Sequence, residues 1–225
     1  MTFQPSNRRY QGAFLPHTDA AGRPQMITCR LADSLPRRVF QRLVRQASNH
    51  EQRKALFQQY FDRGRGACLL RHPEAAQIVI EAFKYYAGDH YRLIDWVVMP
   101  NHIHVVYDEP TKKVGKILKN WKGYTASQIN KALDRSGQFW QRDYFDRYAR
   151  DPIHLYNMSC YVMLNPVKAG LVDDPFEWPY SSIHDYRPEF KDDLRRWYRR
   201  WKSRFWRSVG PDVTRSGKQR SGAEA

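Results

Sequence analysis

The spacing of apolar positions changes several times along the chain, and each change marks an element. Residues 25–31 read as a first strand, preceded by a polar arm that carries Arg8 and Arg9. Over residues 36–61, Val39, Phe40, Leu43, Val44, Ala47, Leu56 and Phe57 recur at helical spacing. Asn49-His50 interrupts the pattern, which predicts two helices or one broken helix. Gly64-Arg65-Gly66 predicts a turn, residues 67–70 a short strand, and Pro73–Tyr86 a helix with Ala76, Ile78, Val79, Ala82 and Phe83 on its apolar side. Residues 91–99 and 102–107, separated by Pro100-Asn101, predict an antiparallel pair.

Val114, Ile117, Leu118 and Trp121 follow an i, i+3, i+4, i+7 pattern, extended by Tyr124 and Ile129, so an amphipathic helix is expected there. Residues 137–150 form an aromatic and basic connection. Asp151-Pro152 then opens a further helix, with Asp at the N-cap, Pro first inside, and Ile153, Tyr156, Cys160 and Leu164 as its core stripe. The last 35 residues carry eleven Lys and Arg against four acids. Within them, residues 192–206 predict a short helix striped by Leu194, Trp197, Trp201 and Phe205, with disorder from Ser208 onward. The expected organisation is one domain over residues 1–188, including its N-terminal arm, and a basic tail over 189–225.

Composition narrows the classes. A hydrophobic content of 41% across 225 residues, with 7 Trp, 14 Tyr and 11 Phe, is enough to fill a core and excludes wholesale disorder. No run approaches the roughly 20 apolar residues that span a bilayer, and no apolar signal core opens the chain, so no membrane partner is expected. Three separated cysteines, Cys29, Cys68 and Cys160, make neither a disulfide framework nor a zinc ribbon, which fits a reducing cytoplasm. With 38 Lys+Arg against 23 Asp+Glu, a net charge of +15, a polyanion is the first partner to consider. A cytoplasmic, nucleoid-associated location follows as an expectation.

The chemistry concentrates in two segments. In Met99-Pro100-Asn101-His102-Ile103-His104, strand alternation puts His102 and His104 on one face, where two imidazoles can grip one metal ion. The bland alternative is a pair of polar sheet residues. In the helix after Pro152, Tyr161 and Asn165 lie four apart and share a flank, a phenol and an amide facing one cavity. Here the alternative is a buried-edge tyrosine and a helix C-cap before Pro166. Together the two segments suggest nucleophilic attack by a tyrosine on a cation-neutralised phosphate, which is DNA strand transfer. Hydrolysis by an activated water needs a base, for which Asp95 and Asp108 are the candidates.

The chain resembles the REP-associated tyrosine transposases, within the single-tyrosine HUH transposases. The resemblance runs over residues 15–186, through markers in order: Leu15-Pro16-His17, residues 30–36, Trp96 to His104, Trp121-Lys122 with Tyr124-Thr125-Ala126, Phe139-Trp140-Gln141 with Tyr144-Phe145-Asp146-Arg147, residues 161–172 and Trp178-Pro179-Tyr180-Ser181-Ser182. It implies an α+β, ferredoxin-like HUH endonuclease fold, an antiparallel sheet with helices packed on it. It also implies His102 and His104 as metal ligands, Asn165 as a third ligand, Tyr161 as the nucleophile and Mg²⁺ or Mn²⁺ as the cofactor. Cleavage of single-stranded DNA at REP-type palindromes would leave a 5′-phosphotyrosine and a free 3′-OH. The rival reading is a non-catalytic hairpin-binding protein derived from a transposase.

For the DNA itself, Lys116, Lys119 and Lys122 lie off the apolar stripe of their helix, a surface suited to phosphates, although a solvated face explains the same pattern. Trp140, Arg142 and Arg147 interleave rings and cations before the tyrosine helix, as stacking on unpaired bases requires, though several rings of this segment must also be core. Arg8 and Arg9 are candidates for reading the foot of a hairpin. No oligomerisation stripe stands out apart from the tail helix, so a monomer is expected, with a dimer as the alternative.

Overall fold

The computed structural model describes residues 8–11, 16–19, 22–49, 52, 56–57, 60 and 64–209. Its centre is a four-stranded sheet of β3 (Gln25–Arg30), β4 (Arg92–Met99), β5 (His102–Asp108) and β6 (Phe145–Tyr148) in the order β4-β5-β3-β6, with every pair antiparallel. The α+β expectation is met: an antiparallel sheet carries helices on both faces. The Pro100-Asn101 turn joins β4 to β5 as the sequence predicts, and a register shift between Leu93 and Asp95 bends β4 near its start.

Ile27, Cys29, Leu31, Ile103, Val105 and Trp96 face one layer, where they meet α2 (Pro73–Tyr86) and α3 (Val114–Ala132) through residues such as Val79, Phe83, Leu118 and Trp121. Val97, Met99 and Val106 face the other layer, under Val162 and Leu155 of α4 (Pro152–Met163). Asp151 caps α4 by accepting from the His154 backbone N–H at 2.7 Å, with Pro152 first inside, as expected.

Several expectations fail for identifiable reasons. The N-terminal arm contains a hairpin, β1 (Arg8–Gln11) paired with β2 (Pro16–Asp19), which puts Arg8 and Arg9 on a strand opposite Asp19 and Thr18. Residues 67–70 form no strand: Cys68 is left-handed, and a 3₁₀ turn, Leu69–Arg71, follows it. The basic connection hides the edge strand β6, whose four residues are too few to display a period and are extended by pairing with β3. On α3, Thr125 rather than Tyr124 continues the buried stripe, and Tyr124 is 52% exposed. On α4 the core side is Met158, Cys160, Val162 and Met163, whereas Ile153 and Tyr156 point outward. The helix over residues 37–46 is present as α1 (Arg37–Gln46), and most of the helical stretch that follows lies outside the described residues.

The segment after α4 closes the sheet. Val98 N–H donates to the Tyr180 carbonyl at 2.9 Å, Trp96 N–H to the Ser182 hydroxyl at 3.1 Å, and the Trp178 indole to the Val98 carbonyl at 3.0 Å. Residues 178–182 therefore cover the outer edge of β4, which an open strand would leave available for pairing. The tail then enters α6 (Pro188–Val209), four residues earlier than its pattern predicts. Leu194 and Tyr198 are buried against the domain, and Trp197 packs beside Cys160 and Ile183, so the first half of the tail helix docks. Trp201, Phe205 and the stretch predicted to be disordered after Val209 lie outside the described side chains and residues.

Candidate active site

Alternation along β5 sends Ile103 and Val105 into the α2–α3 layer and turns His102 and His104 toward α4. Both imidazoles are buried, with ring centroids 4.8 Å apart and planes crossing at 82°. Directly across, β3 places Arg30 opposite His102 and Thr28 opposite His104. The Thr28 hydroxyl lies 2.7 Å from His104 Nδ1. His102 Nδ1 donates to the Asn101 side-chain oxygen at 2.7 Å. Burial, reinforced by Arg30, pushes the His102 pKa down to about 3. Burial lowers His104 well below its ordinary value, helped by His102, Lys168 and Arg30. Both rings are therefore neutral near pH 7, the protonation state in which imidazole ligates a metal.

α4 brings Tyr161 over this pair: its half-buried ring lies 5.5 Å from the His104 ring. Leu164 keeps right-handed helical geometry between α4 and the single-turn helix α5 (Asn165–Lys168), so the helical path continues from Tyr161 to Asn165. The two residues stay one turn apart on the same side. Asn165 is fully buried, and neither its amide nitrogen nor its amide oxygen makes a hydrogen bond; the same holds for His104 Nε2. Buried amides without partners are costly and rare, and a bound ion would answer that cost. Two neutral imidazoles and an amide oxygen fit a divalent cation whose remaining ligands are phosphate oxygens. Among the described residues no three His, Cys, Asp or Glu side chains gather into a metal-holding group, so this donor set is uncharged.

Residues that sequence reasoning did not single out complete the surroundings. Lys168 Nζ sits 4.3 Å from the Tyr161 ring centroid. The Arg30 guanidinium lies 4.1 Å from the Phe145 ring centroid, and burial lowers its pKa to about 9. Two cations thus flank the histidines and the phenol, where a phosphodiester would bring negative charge. Met26, Thr28 and Arg30 do alternate, but which neighbour they face depends on strand register, which no local pattern reveals.

The predicted DNA contacts separate. Arg147 pairs across from Met26, so it shares the histidine face and is exposed at the sheet's edge strand. Arg142 is exposed on the preceding connection. Lys116 and Lys119 are exposed on α3, in the layer opposite the histidines. Lys122 is instead turned inward, donating to the carbonyls of Gln141 and Arg142. Trp140 is core: it is 5% exposed and its indole N–H donates to Thr125 at 2.8 Å, so it offers no ring face to a base. The side chains of Arg8 and Arg9 lie outside the described ones. Asp95 and Asp108 do not serve as bases. Asp95 is fully buried and accepts from Ser182 at 2.8 Å and Tyr186 at 2.7 Å. Asp108 is paired with Arg92, about 14 Å along the strand from His104. A cavity of about 1010 Å³ opens in the other layer, beside Tyr85, Trp96, Tyr124 and Tyr180, and holds none of the predicted site residues.

The stretch from α2 to the end of α4, which contains the histidine pair and Tyr161, has known counterparts. Residues 71–163 match the transposase IS200-like family. A curated REP-associated tyrosine transposase of Haemophilus influenzae is 29% identical over 100 residues, covering 39% of this chain and 56% of that protein. One from Escherichia coli K12 is 26% identical over 92 residues, covering 40% and 52%. The chain thus spans about half the length of the curated relatives it matches. A solved REP-associated tyrosine transposase bound to a REP hairpin aligns with 20% identity and a TM-score of 0.47 over 73% of this chain and 78% of that one. The resemblance to REP-associated tyrosine transposases is borne out. Among the described residues, no helix is long and apolar enough to cross a membrane.

Proposed function

We propose that this chain is a tyrosine transposase acting on DNA, a strand-transferase that cuts single-stranded DNA at REP-type hairpins through Tyr161. The observation that carries the reading is the approach of the Tyr161 ring to 5.5 Å from that of His104, itself paired with His102 on one strand face. Substrate identity rests on the relatives named as REP-associated tyrosine transposases and on the chain's net charge of +15.

In this reading the Tyr161 oxygen attacks the scissile phosphorus and gives up its proton to solvent. The new bond joins that oxygen to phosphorus; the bond from phosphorus to the 3′-oxygen breaks, and the 3′-oxygen leaves to become a hydroxyl. A 5′-phosphotyrosine remains. Returning a 3′-OH to the same phosphorus reverses the step, so cutting and joining share one centre. Arg30 and Lys168 balance the phosphate's charge, and the packing of α4 on β5 holds the phenol in place. His102, His104 and Asn165 would hold Mg²⁺ or Mn²⁺. What the bound cation supplies is charge neutralisation at the scissile phosphate. An uncharged donor set predicts modest affinity until DNA adds its oxygens.

The test is incubation with labelled single-stranded hairpins from the gene's own flanks and either metal, followed by a denaturing gel. A protein–DNA band that survives denaturation and vanishes in Tyr161→Phe is the expected result. Hairpin binding with no adduct under either metal would favour the non-catalytic binding protein, and an adduct that persists in Tyr161→Phe would move the nucleophile elsewhere.

A further inference from the structure

The turn between β4 and β5 ends on Asn101, which is 1% exposed and directly precedes the first histidine. Its side-chain amide makes two hydrogen bonds of opposite sense. The nitrogen donates to the Arg65 backbone carbonyl at 2.9 Å, and the oxygen faces His102 Nδ1 at 2.7 Å. The first bond fixes which way the amide points, because only the NH₂ end can donate to a carbonyl. The second bond then has one solution: an amide oxygen cannot donate, so the proton sits on His102 Nδ1 and the lone pair on Nε2.

The anchor is itself held. Asp33 accepts from Ala67 N–H at 2.7 Å, and Leu70 N–H donates to the Pro100 carbonyl at 3.1 Å, tying the 64–70 loop to the turn. Gly66 sits at φ +93°, where a Cβ would lie 3.0 Å from the Asp33 carboxylate, so the loop follows a path closed to other residues. Asn101 is locked on its main chain as well, since Leu31 N–H donates to its carbonyl at 3.0 Å. His104 differs: its Nδ1 meets the Thr28 hydroxyl, which can donate or accept and so dictates no tautomer.

We propose that Asn101 is a positioning residue that sets the tautomer of His102, through a relay from the Arg65 carbonyl, and so presents the Nε2 lone pair to a divalent cation. The inference rests on the reading of His102 as a metal ligand. Outer partners of this kind fix ring orientation as well as tautomer, and removing one costs metal affinity on the order of 10–100-fold. An aspartate at the same position would still accept from Nδ1 while losing the donor to Arg65.

The experiment combines two readouts on the full chain. Long-range ¹H–¹⁵N spectra of the metal-free protein, with His102 assigned by comparison with His102→Gln, should show its proton on Nδ1. Mn²⁺ titration followed by electron paramagnetic resonance should show binding weakened about 10–100-fold in Asn101→Ala and largely restored in Asn101→Asp. Circular dichroism of each variant checks the fold; if Asn101→Ala does not fold, the wild-type spectrum and Asn101→Asp still decide. A wild-type His102 carrying its proton on Nε2 overturns the proposal. So does Asn101→Ala binding Mn²⁺ like the wild type while His102→Ala loses it, an outcome that leaves the metal site standing. If His102→Ala binds Mn²⁺ unchanged, the metal-site reading itself fails and takes this inference with it.

Discussion

His102 and His104 are held neutral by burial, and this has a measurable cost in acid. The unfolded chain takes up a proton on each imidazole below about pH 6.5. The folded chain does so at His102 only near pH 3. Across that window the unfolded state binds more protons, so stability rises with pH and falls on acidification, by about 1.4 kcal/mol per pH unit for each such histidine. Urea denaturation of metal-free protein at pH 7, 5.5 and 4.5 should show a shallower acid loss in His102→Gln than in the wild type; parallel losses would contradict neutral burial. The histidines and Tyr161 were legible because each obeys a local period, two along a strand and four along a helix. Arg30, Thr28 and Lys168 were not, since each acquires its role from a neighbour 76 or so positions away or from a ring one helix earlier.

Elements are joined by a few polar fasteners that no hydrophobic pattern announces. His17 on β2 donates from Nδ1 to Asp146 on β6 at 2.8 Å and stacks on Tyr144 at 3.9 Å, docking the N-terminal hairpin onto the sheet. His17→Ala should cost about 1–3 kcal/mol, and hydrogen exchange at residues 8–11 and 16–19 should accelerate before the rest of the sheet. Asp95 does the equivalent at the other edge, gathering the hydroxyls of Ser182 and Tyr186 onto β4. Asp95→Ala strands both donors, so denaturant midpoints should fall by the equivalent of about 1–3 kcal/mol with binding residues untouched. Helices and the histidine hairpin were readable at this scale, whereas β6 was not: four residues show no period, and only pairing with β3 extends them. The core side of α4 was misassigned because its buried arc runs through Met158, Cys160, Val162 and Met163, which the sheet and the tail helix cover, and leaves Ile153 and Tyr156 outside it.

At the scale of the molecule, the predicted phosphate contacts among the described residues are divided between two layers. Arg147 shares the histidine face, while Lys116 and Lys119 lie beyond α3 on the opposite side. Single-stranded DNA that runs from one to the other must wrap the sheet's edge. Replacing both lysines with glutamate should weaken binding and reduce the salt slope by about 1.4, at roughly 0.7 per lost single-strand phosphate contact. The cleavage rate at saturating DNA should stay unchanged, because neither lysine reaches the histidine face. A rate that falls in step with affinity would place these lysines at the reaction centre instead.

β5, the strand that carries the histidines, is flanked by β4 and β3, and the phenol that meets them arrives more than fifty positions later on α4. During synthesis the histidine hairpin is therefore complete well before the helix that roofs it. A partly made chain carries both imidazoles without the phenol or the Asn165 amide, so the side chains that meet at this site come together only late in synthesis.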